Sequence, residues 1–435
     1  MKITFIGAGS VQFTTAVVQD IATFDALRSA EICLMDINDY RLEKITECVK
    51  RINTELEADF TITPTLDRVE ALTGADAVIC TVFNGDVDIW QYEIEVPKKY
   101  GVDMNVGDTR SVAGMFRALR NIPLMLDICN DIVRICPNAF LLNYTNPMSM
   151  LCKAMQTYTK ADVTGLCHSV QATSKMLAEW AGVDYSKLEY TCAGINHMAF
   201  FTELTADGED IYPILREKIK DIGYYNKEKV RNEIFRTFGY YVTESSGHNS
   251  EYTAWFRKRP DLIRKYCSSE GANWNPGEYA YSLTLRRDPR RFDKLCEEWM
   301  SKPVQKTRGS EYAANIINAR IGDGTPFRFN ANLLNNGSVE NLPYDACVEI
   351  PVIADKNGYT REKQTRLPAA PAILVSLTAG IENLIVDAAM NKSKELVYQA
   401  VSLDPLCSAV LSLEEARQMC DELFAYNKDY LGDYR

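Results

Sequence analysis

Lys2-Ile-Thr-Phe-Ile-Gly7-Ala-Gly9-Ser10-Val-Gln12 runs a short apolar stretch into two glycines and then into a helical pattern. Two glycines permit a tight turn and let backbone N–H groups approach a pyrophosphate at a helix N-terminus. The third glycine of the usual dinucleotide fingerprint is replaced by Gln12. A second apolar run ends in Leu34-Met35-Asp36. A carboxylate there bonds ribose hydroxyls and favours NAD over its 2′-phosphorylated form. Gly7, Gly9, Ser10 and Asp36 are the expected cofactor contacts.

The pattern continues outward from this turn. Residues 77–82, 139–143 and 163–167 are short apolar runs rich in β-branched residues, and helical patterns such as 40–57 and 115–135 lie between them. Such alternation predicts a parallel, doubly wound sheet, which gathers its ligand at the carboxyl edge. After residue 188 the signals change. Residues 188–205 read as one longer strand with a turn at Asp207-Gly208. Tyr, Trp and Arg cluster over 223–300 in mixed helix and loop. Turn signals at Asn335-Asn-Gly and Asp355-Lys-Asn-Gly separate antiparallel strands over 327–366. The final stretch of roughly 70 residues has helical apolar spacing. The expected fold is α/β: a Rossmann-like doubly wound parallel sheet over 1–190, then an α+β domain for substrate and oligomerisation over 191–435.

The chain has 435 residues and a formal net charge of −11, with no basic block. That argues against nucleic acid or an anionic membrane as partner. Thirteen scattered cysteines, with no signal peptide before the first strand, point to thiols in a reducing cytoplasm. The apolar segment 367–386 contains Pro368, Pro371, Gly380 and Glu382 and reads as a buried helix after a loop, not a membrane span.

The chemistry concentrates where strands end. Leu142-Asn143-Tyr144-Thr145-Asn146-Pro147 closes one run; Asn146 either caps the next helix or aims its amide at a substrate hydroxyl or the nicotinamide. Cys167, His168 and His197 each follow an apolar run, and the chain has only three histidines. A buried core cysteine and a satisfied core imidazole are the bland readings. A thiolate and a neutral imidazole held together make a soft transition-metal site, and two protein ligands leave positions open for Lewis-acid chemistry. We expect both to end adjacent strands. The segment 239–256 is rich in tyrosine and carries His248 and Glu251; it is either packing or the source of a base beside a divalent metal.

Together these motifs resemble family 4 of the glycoside hydrolases, the NAD- and manganese-dependent group. The resemblance spans the whole chain: the opening glycine turn, Arg117-Ala-Leu-Arg-Asn-Ile-Pro123, Asn143-Tyr-Thr-Asn-Pro-Met148, Gly165-Leu-Cys-His-Ser-Val-Gln171, Cys192-Ala-Gly-Ile-Asn-His-Met-Ala-Phe200, Tyr241-Val-Thr-Glu-Ser-Ser246 and Glu251-Tyr-Thr-Ala-Trp-Phe256. Cys-His-Ser-Val at 167–170 looks like the α-galactosidase branch, with α-galacturonidases similar there. The resemblance implies a lactate/malate dehydrogenase-like fold, a homodimer or homotetramer, NAD and Mn2+ as cofactors, and a small glycoside as substrate. It implies that Cys167 and His197 hold the metal, that His168 is the general acid, that Tyr252 is the base with Tyr241 as competitor, and that Asn146 contacts the sugar. The loop Asp108-Thr-Arg110-Ser-Val-Ala-Gly114 departs from the family's glycine- and proline-rich loop. Arg110 could reach a substrate carboxylate there, with Arg117 as a further substrate contact. The implied route is oxidation at C3 of the sugar, deprotonation at C2, elimination at C1, addition of water and return of the hydride.

Two relatives in the same family, α-galacturonidase and α-glucosidase, are the near alternatives. A 2-hydroxy-acid dehydrogenase of the same fold would need an Asp–His pair and arginines, which His197 and Arg117 supply in part. A non-catalytic NAD sensor would need no thiolate beside an open metal position.

Overall fold

A computed structural model describes residues 1–267, 288 and 290–435. The five apolar runs of the first half form β1 (Lys2–Ile6), β2 (Glu31–Met35), β4 (Ala77–Cys80), β5 (Phe140–Asn143) and β6 (Asp162–Leu166). A further strand, β3 (Thr61–Thr65), gave no apolar signal because it is the half-exposed edge and carries Pro64. All six pair in parallel in the order β3-β2-β1-β4-β5-β6. That is the order of a dinucleotide-binding doubly wound sheet. Alternation along β1 sends Ile3 and Phe5 into one buried cluster and Ile6 into another, so apolar side chains cover both faces.

The sheet does not stop at β6. Strand β10 (Phe327–Leu334) pairs antiparallel with β6, and β11 (Cys347–Asp355) pairs with β10. Strand β7 (Leu188–Ile195) touches β11 at the pair Glu349 and Gly194. Strands β8 (Met198–Ala206) and β9 (Glu209–Asp210) continue it, and β12 (Gly358–Arg361) pairs with β11. The later half of the chain thus extends one twelve-stranded sheet.

Two expectations are corrected here. Residues 188–205 form a hairpin, not one strand; Ile195 faces Met198 across an Asn196-His197 turn. Asn196-His197 carries neither proline nor glycine and interrupts the apolar run by only two residues, which hid the turn. Strands β6 and β7 are not adjacent, because β10 and β11, contributed from more than 120 residues later, lie between them.

The antiparallel strands expected over 327–366 are present, and the last segment is helical. The aromatic and arginine cluster expected over 223–300 is helix and loop as far as 267 and helical over Arg291–Ser301; its remainder lies outside the described residues. The helix Ala369–Asn391 is long and apolar enough to span a membrane by length and composition. It packs instead on the helices Ser111–Ile135, Met148–Tyr158 and Lys394–Leu403, with half of its most apolar window buried.

Candidate active site

The glycine turn is shaped by what surrounds it. Gly7 has φ +82°, and a Cβ there would lie 2.2 Å from the Thr81 carbonyl oxygen. A Cβ on Gly9 would lie 2.6 Å from Asp36 Oδ2. The Gly9 N–H donates to that oxygen at 2.7 Å, and the Asn38 N–H donates to Asp36 Oδ1 at 2.9 Å. Ser10 caps the helix Val11–Ala22, its Oγ accepting from the Phe13 N–H. The structure therefore brings the four expected cofactor contacts into one turn, and Asp36 braces the glycine loop that it was expected only to flank.

Cys167 follows β6 and precedes the helix Ser169–Ala181. Its Sγ accepts from the Ser169 N–H at 3.4 Å and stands 3.3 Å from Ser169 Oγ. Donors at a helix N-terminus favour thiolate. Burial opposes them and pushes the thiol upward, with the Glu349 and Glu244 charges adding to the effect. A cation would reverse that balance.

His197 is buried in the β7–β8 turn with φ +60°, a left-handed conformation uncommon outside glycine, though less so for histidine than for most residues. Burial lowers it to about 4, with the Glu244 charge acting against that shift, so the ring is neutral and able to ligate. Its Nε2 stands 3.6 Å from Glu244 Oε2, and its Nδ1 stands 3.3 Å from the Tyr252 hydroxyl. The ligand atoms of Cys167, His197 and Glu244 all lie within 4.8 Å of one another. The donor set fits a divalent transition metal.

Glu244 was missed from the sequence, as were His248 and Asp108. Burial raises the Glu244 carboxyl, but the neighbouring histidines His197, His248 and His168 outweigh it and hold it to about 2. His248 Nδ1 lies 3.3 Å from Glu244 Oε1, and its Nε2 lies 3.6 Å from Asp108 Oδ1. Burial works to discharge His248, yet the Glu244 and Asp108 carboxylates raise it to about 9. No periodic signal marked Glu244: it precedes the N-cap Ser245 of the helix Ser246–Glu251 and has φ +67°, so its meeting with His248 comes from the turn and not from helical spacing.

The remaining expected residues sort as follows. Tyr252 is buried, with its ring 5.0 Å beneath the Arg110 guanidinium. Tyr241 is excluded as competitor: its hydroxyl donates to Asn232 Oδ1 in a separate apolar cluster with Trp180 and Phe235. Asn146 is half-buried at the end of β5 and makes no side-chain cap to the following helix, so the bland reading fails. His168 is the exposed member, its side chain 64% accessible and its Nδ1 3.8 Å from the Glu311 carboxylate.

Arg110 is buried, with its Nε 3.0 Å from the Glu382 carboxylate and its guanidinium stacked on Tyr252; Nη1 and Nη2 have no hydrogen-bond partner among the described residues, so the group is anchored at one edge and keeps donors for a ligand. Arg117 is buried over the rings of Phe83 and Trp90, and its charge helps hold the Asp108 carboxyl down.

The loop carrying Asp108 and Arg110 is pinned from the aromatic segment. Glu251 Oε2 accepts from the Asn105 and Val106 N–H groups at 2.6 and 2.8 Å, and Oε1 from the Gly107 N–H at 3.1 Å. Arg257 donates to the Asp103 carbonyl at 2.7 Å and to its carboxylate at 2.5 Å. On β11, Glu349 is fully buried and neither of its carboxylate oxygens has a hydrogen-bond partner; burial raises it to about 8. Both amide atoms of Asn196 are equally orphaned. Orphaned polar atoms beside a donor cluster mark space for a ligand or water.

The model of the family 4 glycosyl hydrolases matches residues 2–183, and the model of their C-terminal domain matches 192–407. The chain belongs to family 4 of the glycosyl hydrolases. Among its relatives, an α-galactosidase of Bacillus subtilis (strain 168) is 37% identical over the full length of both chains. An α-galactosidase of Rhizobium meliloti (strain 1021) is 35% identical over all of this chain and 89% of that protein. An α-galacturonidase of Thermoanaerobacter italicus is 28% identical over 99% and 97%. In fold, the family 4 chain resembles a 6-phospho-α-glucosidase from gut microorganisms solved with NAD and Mn2+ (TM-score 0.82, 20% identity, 100% and 99% covered). It also resembles malate dehydrogenase from Plasmodium falciparum (TM-score 0.53, 12% identity, 91% and 99% covered), as expected of a dehydrogenase-like sheet.

Proposed function

We propose that this family 4 enzyme hydrolyses α-galactosides with NAD and a divalent metal, Mn2+ foremost. One observation carries the chemistry: the Tyr252 hydroxyl stands 3.3 Å from His197, whose ring shares a donor cluster with Cys167. A base beside a cation site suits removal of a carbon-bound proton. Ordinary glycosidases place two carboxylates there instead.

Gly7, Gly9, Ser10 and Asp36 would hold NAD, and Cys167 and His197 the metal. Bound NAD supplies reversible hydride removal from the sugar, and the bound metal supplies Lewis-acid polarisation of its oxygens. The protein's own groups do the rest. Tyr252, as phenolate, accepts the proton from C2 and becomes the phenol. Burial raises the Tyr252 phenol well above its ordinary value, and the Asp108 and Glu251 charges add to this; the Arg110 guanidinium over its ring acts the other way, and a cation held beside His197 would favour the phenolate further. His168, exposed at the start of its helix, donates to the leaving oxygen. Asn146 offers an amide to a sugar hydroxyl.

A neutral galactoside is the substrate proposed, with Arg110 anchored on Glu382 through Nε alone. The full-length likeness to two α-galactosidases supports the same choice. All thirteen cysteines are free thiols, which supports a cytoplasmic setting. Ile373 and Leu377, 71% and 43% exposed on one side of the helix Ala369–Asn391, support a homodimer or homotetramer.

The test is hydrolysis of nitrophenyl α-galactoside, α-glucoside and α-galacturonide, with NAD+, Mn2+ and a thiol reductant added singly and together. The expected result is α-galactoside turnover that requires both cofactors and accumulates no NADH. Turnover without NAD+, or net NADH formation with malate or lactate, would reject the proposal.

A further inference from the structure

The clustering of Glu244 with Cys167 and His197 raises a question of role. A carboxylate beside a histidine either orients the ring by a hydrogen bond or ligates the same cation. The distance separates the two. His197 Nε2 and Glu244 Oε2 are 3.6 Å apart, beyond hydrogen-bond length. Two donors sharing one ion, each about 2.0–2.3 Å from it, stand roughly 3–4 Å apart. The ring's other nitrogen is already turned to the Tyr252 hydroxyl.

We infer that Glu244 is a third protein ligand of the metal, completing a sulfur, nitrogen and oxygen donor set with Cys167 and His197. The inference rests on the metal reading of those two residues and extends it. Two anionic donors, thiolate and carboxylate, then match a divalent charge in a buried site. A carboxylate oxygen also shifts the preference of the site from soft ions toward Mn2+ and its neighbours. A six-coordinate ion still keeps three positions for sugar oxygens and water.

Two further features fix the carboxylate in place. Glu244 has φ +67°, so its backbone is held in the left-handed region and is not free to turn away. Its other oxygen, Oε1, meets His248 Nδ1 at 3.3 Å, and His248 is held in turn by Asp108 at 3.6 Å and by Ser245 Oγ at 3.0 Å. One oxygen is thus braced and the other left for the ion. Metal-ligating carboxylates are commonly supported in this way.

The test uses metal-stripped full-length protein, without NAD or sugar. Mn2+ binding is followed by the loss of the free-ion electron paramagnetic resonance signal, for the native chain, Glu244→Gln, Glu244→Asp and Cys167→Ser. Removing an outer-shell partner costs about 10–100-fold in metal affinity, so loss of a charged ligand should reach at least about tenfold. Glu244→Gln is expected to bind Mn2+ at least about tenfold more weakly, Glu244→Asp to lie between it and the native chain, and NAD+ affinity to be unchanged in both. With Co2+ as probe, the thiolate-to-cobalt absorption should persist in Glu244→Gln and vanish in Cys167→Ser. If Glu244→Gln binds Mn2+ within about twofold of native while KM for the galactoside rises, the carboxylate serves the sugar and the inference fails. If Cys167→Ser also leaves Mn2+ binding and the cobalt absorption intact, the two-ligand reading itself fails.

Discussion

Glu251→Gln probes how the loop before Asp108 is held. Glu251 is fully buried, and its two oxygens accept the N–H groups of Asn105, Val106 and Gly107 at 2.6, 2.8 and 3.1 Å. Glutamine offers a single acceptor oxygen. Turned toward Asn105 and Val106, it sets its NH2 against the Gly107 N–H, donor facing donor. An unsatisfied buried donor costs about 1–3 kcal/mol, and loss of charge weakens each remaining bond by about 0.5–1 kcal/mol. With two bonds remaining, the sum is about 2–5 kcal/mol. At 1.36 kcal/mol per factor of ten, local opening of the loop becomes at least about 30-fold more frequent. Hydrogen exchange resolved to single amides reads this directly. Asn105, Val106 and Gly107 should exchange at least about 30-fold faster, while amides in β1 and β5 keep their native rates. kcat/KM should fall with it, because Asp108 and Arg110 ride on the same loop. Exchange at those three amides within about threefold of native would show that the carboxylate does not pin the loop.

Gly9→Ala would put a methyl 2.6 Å from Asp36 Oδ2 and break the 2.7 Å bond between them; NAD+ affinity, read by fluorescence titration, should fall about tenfold or more while Mn2+ affinity holds, and equal NAD+ affinity would refute the assigned turn. Arg110→Met leaves the Glu382 carboxylate buried and unpaired, which costs about 3–5 kcal/mol of stability, whereas the double change with Glu382→Leu should recover most of it; urea midpoints that are additive would contradict the pairing. At Asp131, burial opposes ionisation but hydrogen bonds from Arg134 and Arg68 outweigh it, so the folded carboxyl lies below its unfolded value of about 3.9. Its contribution is complete above about pH 4 and is lost as pH falls through the folded value, so the stability gap between native and Asp131→Asn protein should narrow on acidification; a gap constant from about pH 6 to 2 would exclude this.

What could be read from the sequence was local. The glycine turn, Asp36, Cys167 and the alternation of strand and helix over the first half are each written within a few neighbouring residues, and the structure places them accordingly. What could not be read depends on distant segments meeting. Strands β10 and β11 enter the sheet between β6 and β7, so the adjacency inferred for Cys167 and His197 was wrong although the two residues do meet. Tyr252 and Tyr241 look alike in sequence, and only packing shows that one faces His197 while the other is bonded to Asn232. The ion pair of Arg110 could not be read because Glu382 lies 272 positions away, on a helix that the sequence assigned only to the core.

Backbone strain gives a second, independent mark of the site. Among the described residues seven non-glycine residues have positive φ, and most sit where such geometry is cheap: Asp207 and Asn336 in turns, Lys392 and Glu57 just beyond helices. His197 also lies in a tight turn, but it and Glu244, at the bend before the helix Ser246–Glu251, carry large functional side chains where glycine or asparagine would serve the backbone alone. Holding each costs of order 1–3 kcal/mol. The two strained residues face one another across 3.6 Å, and buried hydrogen bonds around them, from the Ala199 N–H to Thr243 Oγ1 and from the Asn249 side-chain amide to the Thr243 carbonyl, brace the neighbouring backbone. Strain at a single residue has many explanations. Strain at two donors aimed at the same point has a narrower one: the fold gives up stability so that an imidazole and a carboxylate meet beside a thiol, which no packing requirement of a twelve-stranded sheet would demand.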